Sequence, residues 1–251
     1  MKIEIQEDNM GLSFPGKQRE WKRQPTKAHS FKILKEMGVP VSTVIDVGIL
    51  TSTYELIQAY GDVPQLLIEP IVEFEDRIRA NYDKAGVNYE LIKVAASDRD
   101  GETAMRTKSV RENVDITHAQ MADTTDAPGQ YRTVPVRKLD TIVQERTLNK
   151  PYLLKIDVDG AELSILRGAE NVLKDCSVIC IEVTMTTFFE RAELIRRSGF
   201  QLVDVVDLCY YNDRLSQVDL IFVNTQIIQE KGLQIFGSGF DIAKWKTYEP
   251  K

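Results

Sequence analysis

The chain alternates short, almost continuously apolar runs with longer segments of helical periodicity. The runs Thr43–Val47, Gln65–Glu69, Tyr89–Ala95, Tyr152–Asp157 and Ser177–Val183 are rich in Val, Ile and Leu and lack period-two alternation, so they predict strands buried on both faces. Helices are expected over Ser30–Met37, stopped by Gly38 and Pro40, and over Tyr54–Tyr60, Val72–Tyr82, Glu162–Leu173 and Phe188–Ser198. Phe200–Val206 and Val218–Val223 read as the last two strands. No long helix fits between them, so the final strand is expected to run against the rest. This rhythm predicts an α/β fold, Rossmann-like and doubly wound: a mostly parallel seven-stranded sheet with an antiparallel last strand and helices on both faces.

One stretch breaks the rhythm. Between residues 98 and 140, Asp100-Gly101 signals a turn, and Thr103–Val110 and Tyr131–Val136 predict short added strands. The polar segment Glu112–Gln130 between them reads as a lid or as a surface excursion facing an acceptor. The organisation expected is an N-terminal arm over 1–28, a domain over 29–224 carrying the 98–140 insertion, and a tail over 225–251 in which Phe236–Phe240 looks like a loop. Lys17, Arg19, Lys22, Arg23 and Lys27 make the arm locally basic. It reads either as solvated chain or as a contact for an anionic acceptor or a partner subunit.

With 251 residues, 43% of them hydrophobic and 28% charged, the chain can close one large core without staples. A net charge of −6 argues against a nucleic-acid-binding surface. Cys176, Cys180 and Cys209 match no common zinc spacing, and the first two fall where a strand would carry them inside as free thiols. Free thiols suit a reducing compartment. The chain opens on the polar Met1-Lys2-Ile3-Glu4, and no apolar run approaches the roughly 20 residues that span a bilayer. A cytoplasmic location without membrane association is therefore expected. The oligomeric state has no signature in the sequence.

In open parallel sheets, ligands bind beyond the carboxyl ends of the strands, beside the switch in strand order. Acidic residues end successive runs here: Asp46, Glu69, Asp98 shortly after the third, Asp157 with Asp159, and Glu182. Such a set predicts one shared crevice. An acid ending the second strand suits the vicinal hydroxyls of a ribose, which assigns Glu69 to a nucleoside; its competing role is to start the helix after it. Gly48 lets backbone approach a ligand, and Asp46 is placed to meet the ammonium of an amino-acid moiety, directly or through water.

These residues and their surroundings resemble the FkbM family of methyltransferases. The resemblance rests on Val44-Ile45-Asp46-Val47-Gly48, Ile68-Glu69-Pro70, Ala95-Ala96-Ser97-Asp98 with Gly101, Val134-Pro135-Val136 with Leu139-Asp140, Leu154-Lys155-Ile156-Asp157-Val158-Asp159-Gly160-Ala161-Glu162 with Leu166 and Gly168-Ala169, and Ile181-Glu182-Val183. It covers Ser42 to Asn224. It implies a class I methyltransferase fold, S-adenosylmethionine as donor, and O-methylation of a sugar or natural-product hydroxyl. It carries Asp46 and Gly48 to the methionine end of the cofactor, Glu69 to the ribose, Ser97 and Asp98 to the neighbourhood of the adenine, and Asp157 to the junction of cofactor and acceptor. The family continues the first motif with a small residue, Asn and a further Gly, whereas this chain reads Ile49-Leu50-Thr51-Ser52. Ser52 then stands at the second glycine's place, and with Thr53 it can supply a hydroxyl or a helix cap.

A hydroxyl acceptor needs help in losing its proton. Asp157 is the first candidate base, His118 in the insertion the second, and Lys155 the third. The competing roles are a surface histidine, and a lysine that neutralises an acidic crevice. Asp157, Asp159 and Glu162 also offer oxygen ligands to magnesium or manganese. The preferred reading instead has Asp159 starting the next helix and Glu162 in its first turn, with no metal assigned. Two other functions compete. Asp157-Val158-Asp159 matches the metal-binding tripeptide of nucleotide-sugar glycosyltransferases, and the bulk of Ile49-Leu50 suits a non-catalytic binding module on the same fold. The expected partner is a small-molecule or saccharide acceptor.

Overall fold

The structure, a computed structural model, describes residues 23–108, 118–122, 130–235 and 242–243. In chain order the elements are α1 (Lys27–Glu36), β1 (Thr43–Val47), α2 (Tyr54–Tyr60), β2 (Gln65–Ile68), a 3-10 turn (Val72–Phe74) leading into α3 (Glu75–Ala85), β3 (Tyr89–Ile92), β4 (Ala95–Ala96), β5 (Gly101–Lys108), β6 (His118–Ala122), β7 (Gln130–Arg137), α4 (Leu139–Gln144), β8 (Tyr152–Ile156), α5 (Glu162–Arg167), α6 (Glu170–Lys174), β9 (Cys176–Thr184), α7 (Phe188–Arg197), β10 (Phe200–Tyr211), β11 (Arg214–Asn224) and α8 (Thr225–Glu230).

The main sheet has seven strands in the order β10-β11-β9-β8-β1-β2-β3. β1, β2, β3, β8 and β9 pair in parallel, and β11 runs antiparallel to both β9 and β10. The last strand does oppose the rest. It forms a hairpin longer than the apolar runs implied, because Leu208–Tyr211 and Arg214–Ser216 extend the pair beyond β9 as a ribbon on which Leu208, Tyr210 and Tyr211 are exposed.

Period-two alternation decides what each face carries. Ile45, Leu154, Ile156, Ile179, Ile181, Leu220 and Phe222 point to the face covered by Leu139 and Ile142 of α4, Ile165 and Leu166 of α5, Val172 of α6 and Ile195 of α7. Val44, Leu153, Val178, Cys180, Ile221 and Val223 point the other way, onto Phe31 and Leu34 of α1 and Leu56 and Tyr60 of α2. Farther along, Leu67 meets Phe74, Ile78 and Tyr82. On the α1 side, the next positions of the same parity toward the carboxyl ends are Asp46, Lys155, Asp157, Glu182 and Asp219. The pleat that fills the core with aliphatics thus also lines up these charged groups at one end of one face.

Several expectations need correction. The third strand does not run to Ala95: β3 ends at Ile92, and Ala95-Ala96 forms β4 of a second, four-stranded sheet in the order β4-β7-β5-β6. That sheet contains the two added strands and also β6, within the polar segment expected as a lid or surface excursion; residues 109–117 and 123–129 lie outside the described residues. The helix expected over Glu162–Leu173 is two, α5 and α6, separated at Gly168-Ala169. At Gly168 a Cβ would stand 1.9 Å from the Ser97 carbonyl oxygen, so close packing against the segment after β4 excludes any side chain there. The cap of α5 is Ala161, not Asp159. Helix α1 starts at Lys27 with Thr26 as its cap, so residues 23–28 belong to the folded body rather than to a free arm. Helix α8 occupies the start of the region read as tail, and the Phe236–Phe240 loop lies outside the described residues. Cys176 and Cys180 are buried and Cys209 is exposed, all as free thiols.

Candidate functional site

A cavity of about 350 Å³ opens at the carboxyl ends of β1, β2 and β8, beside the point where the chain leaves β1 for one side of the sheet and β8 takes the other. Its volume falls within the usual range for small-molecule sites. Strand order arranges its walls. Lys27, Lys155, Asp157 and Asp159 line the β8 end. Gly48, Leu50, Ser52 and Glu69 line the middle. Ile71, Phe74, Val94, Ala95, Met105 and Met121 line the far end, where β5 and β6 of the second sheet approach.

The loop after β1 makes room for the cavity by backbone geometry. Gly48 has φ +80°, and a Cβ on it would stand 2.0 Å from the Asp157 carbonyl oxygen. Glycine is therefore required by the approach of β8, in addition to the expected approach of a ligand. Leu50 has φ +53°, a left-handed conformation that Asn tolerates and a branched apolar residue does not. This is the position at which the resemblance implies Asn. The bulk of Ile49 and Leu50 does not fill the hollow: Ile49 packs among Leu67, Ile71 and Phe74, and Leu50 is half exposed.

Glu69 is buried just beyond β2. Its Oε2 accepts from Leu50 N at 3.0 Å and its Oε1 from Ile71 N at 3.0 Å. Burial pushes its carboxyl up to about 7, against the pull of those two donors. The two backbone bonds fix the carboxylate at mid-cavity while each oxygen keeps a further lone pair.

At the charged end, Lys155 is the hub. Its Nζ lies 3.2 Å from Asp46 Oδ1 and 3.4 Å from Asp157 Oδ2, and donates to the Gly48 carbonyl at 3.2 Å. Burial alone would lower its ammonium, but Asp46 and Asp157 more than offset that and hold it above the ordinary lysine range. A lysine held this way has no capacity to accept a proton at neutral pH, so the geometry assigns it charge balance and loop anchoring rather than base work. Burial alone would likewise raise Asp157, yet the Lys155 and Lys27 ammonium groups hold it below the usual carboxylate range. Asp46 is fully buried behind Lys155 and is absent from the cavity wall, so it reaches a ligand through Lys155 and not directly.

The other expected residues divide. Ser52 lines the cavity, whereas Thr53 stands at the cap of α2 without a side-chain capping bond. Ser97 and Asp98 do not line it; Ser97 is buried against Gly168, and the wall near the third strand is Val94-Ala95-Ala96. His118 begins β6 with its backbone opposite Lys108; from that strand Met121, paired with Met105, reaches the wall. Glu162 is tied to Arg191 at 2.6 Å, with both side chains buried, while Asp157 is tied to two lysines. Among the described residues no group of three or more His, Cys, Asp or Glu side chains is gathered to hold a metal ion. No helix among them is long and apolar enough to cross a membrane. Lys27, Met105 and Met121 were not singled out as site residues. Methionines give no motif, and the sequence offers Lys27 only as one of five basic residues of an arm that is either solvated or a contact for an anionic acceptor or a partner subunit.

A doubly wound sheet with a cleft at its switch point, charged at one end, apolar at the other and carrying an acid at the second strand between them, defines a Rossmann-like α/β protein. The chain belongs to the FkbM methyltransferase family: residues 47–209 match the family model of the Methyltransferase FkbM domain. It is 24% identical over 115 residues to hexuronic acid methyltransferase AglP of Haloferax volcanii, a match spanning 46% of this chain and 45% of that relative, so less than half the length of the relative is represented. Among solved structures, it is similar to precorrin-6y C5,15-methyltransferase from Geobacter metallireducens, at 12% identity and a TM-score of 0.46 over 84% of this chain and 93% of that one. It is also similar to an rRNA methylase from Streptococcus thermophilus, at 12% identity and a TM-score of 0.47 over 81% and 98% of the two chains.

Proposed function

We propose that the protein is an S-adenosylmethionine-dependent methyltransferase that acts on a hydroxyl of a sugar or natural product. The observation that carries this reading is the polarity sequence along the cavity. An apolar slot built by Ile71, Phe74, Val94, Ala95, Met105 and Met121 suits a flat heterocycle; Glu69, held by two backbone donors, suits a ribose diol; the Lys155–Asp157 end suits a zwitterionic amino-acid tail. When bound, the cofactor supplies an electrophilic methyl group on a sulfonium. The chain's own residues align it and exclude water. Asp157, kept ionised by two lysines, is our candidate to accept a hydrogen bond from the acceptor hydroxyl and orient its oxygen, although the same two charges make it a weak base. That the distant relative is named for a hexuronic acid supports a saccharide acceptor.

The glycosyltransferase reading has less support, since it leaves Glu69 and the apolar slot without a role. One thermal-shift comparison separates the two. S-adenosylhomocysteine at a hundredfold excess over its dissociation constant should stabilise the protein by about 2.7 kcal/mol. A nucleoside diphosphate with manganese should leave it unchanged. The reverse pattern would remove the methyltransferase assignment. Binding without transfer of labelled methyl to any saccharide of a broad panel would favour the non-catalytic module.

A further inference from the structure

The cation at the mouth of the charged end comes from outside the matched segment 47–209. Lys27 is the first residue of α1, and its Nζ lies 2.7 Å from Asp219 Oδ2, 3.5 Å from Asp207 Oδ2 and 3.7 Å from Asp157 Oδ2. It is mostly buried, and its place is fixed by more than its charge. Its backbone N donates to the Asp207 carboxylate at 3.3 Å, the Asp207 N donates to the Pro25 carbonyl, and Phe31 and Leu34 hold α1 on the sheet. Arg23 adds a separate pair with Asp204. The result is an alternating row across the strand ends: Asp46, Lys155, Asp157, Lys27, Asp219. The row holds three carboxylates against two ammonium groups, and without Lys27 Lys155 would face all three alone.

The donor assigned above carries a sulfonium charge, and its demethylated product carries none at the same atom. Resting on that reading, we propose that Lys27 is the counter-cation of the donor site, whose charge limits the preference of the acidic strand ends for the sulfonium over the neutral thioether. A site rich in carboxylates stabilises the charged ground state, and binding that is stronger in the ground state than later works against turnover. A fixed ammonium beside Asp157 offsets that stabilisation without occupying the slot or the ribose position. Lys27 therefore belongs to the site although no motif contains it.

The test is a calorimetric titration of S-adenosylmethionine and S-adenosylhomocysteine, at pH 7.5 and low salt, into the wild type and three variants. Lys27→Met should move the affinity ratio toward the sulfonium by roughly threefold or more, the effect of one unit charge at several ångströms in a partly buried site. Lys27→Arg keeps the charge and should keep the wild-type ratio. Asp219→Asn leaves Lys27 less compensated and should move the ratio toward the thioether; it decides the matter if Lys27→Met does not fold. A ratio that stays at the wild-type value in both Lys27→Met and Asp219→Asn overturns the inference alone. A wild-type protein that binds neither ligand overturns the donor assignment, and this inference with it.

Discussion

The Nζ of Lys155 stands 3.2 Å from Oδ1 of Asp46, with both side chains sealed from water. β1 and β8 pair in parallel with these two residues opposite each other, so the sheet register itself makes the ion pair. Neither Asp46 oxygen has a well-oriented hydrogen bond among the described residues, so the lysine charge is its principal compensation. Lys155→Met should therefore destabilise the fold by about 3–5 kcal/mol, because it leaves a buried carboxylate uncompensated. Adding Asp46→Asn to that variant should recover more than half of the loss, since no buried charge is then left behind. Urea denaturation of the two single variants and the double variant measures this, and additive losses would contradict the coupling.

Glu69 has a distinct signature in the pH dependence of stability. Its carboxyl is held near 7 in the fold and titrates near 4.5 when free. Between those values the folded chain binds more protons than the unfolded chain, so this group makes stability fall as pH rises from about 4.5 to about 7. The effect is on the order of 3 kcal/mol. Glu182, also pushed up to about 7 by burial and by Asp157 and Asp219, adds a decline in the same window. Glu69→Gln should abolish only the first contribution. Denaturation of wild type and variant at pH 4.5 and pH 8 reads the difference, which should be close to zero if Glu69 titrates normally.

The left-handed turn at residue 50 can be relaxed. Leucine there at φ +53° carries a conformational cost of about 1–2 kcal/mol that glycine does not, and its side chain is half exposed. Leu50→Gly should raise stability by up to about 1 kcal/mol, or raise Tm by roughly 2–4 °C. Leu50→Asn should do the same to a smaller extent. A lowered Tm for both would show that the Leu50 side chain contributes more by contact than the backbone loses by strain.

Gly48 should tolerate nothing larger. A Cβ 2.0 Å from the Asp157 carbonyl oxygen, at φ +80°, forces β1 and β8 apart at the mouth of the cavity. Gly48→Ala should cost roughly 2–4 kcal/mol from overpacking and backbone strain together. Binding of S-adenosylhomocysteine should be lost even below the melting transition. Retained binding with a native melting curve would mean the two strand ends separate freely.

Much of this architecture was legible in the residues. Thr43–Val47 and Tyr54–Tyr60 read directly as strand and helix because each run is uniform in period and closed by turn or polar residues. Asp46, Glu69 and Asp157 were legible as strand-end acids, since a carboxylate that closes an apolar run has few structural uses. The second sheet was harder. Its β4 is two alanines continuous with the third apolar run, and β6 lies in a polar stretch, so neither shows a periodicity of its own; pairing with β7 and β5 creates them. Ser97 and Asp98 are displaced from the cavity wall for the same reason, because β4 turns the chain away into that sheet.

Hydrophobic period and the residues that close each run determined the order of elements, the parallel sheet with its reversed last strand, and the family. Those are properties of neighbours along the chain, each readable within about a dozen positions. The partners of the charges came from folding. Asp46 meets Lys155 across 109 positions by strand register. Lys27 reaches Asp157, Asp207 and Asp219 because α1 packs back over the strand ends. Electrostatic pairing depends on distance in space, and no local pattern encodes which distant residue will arrive there.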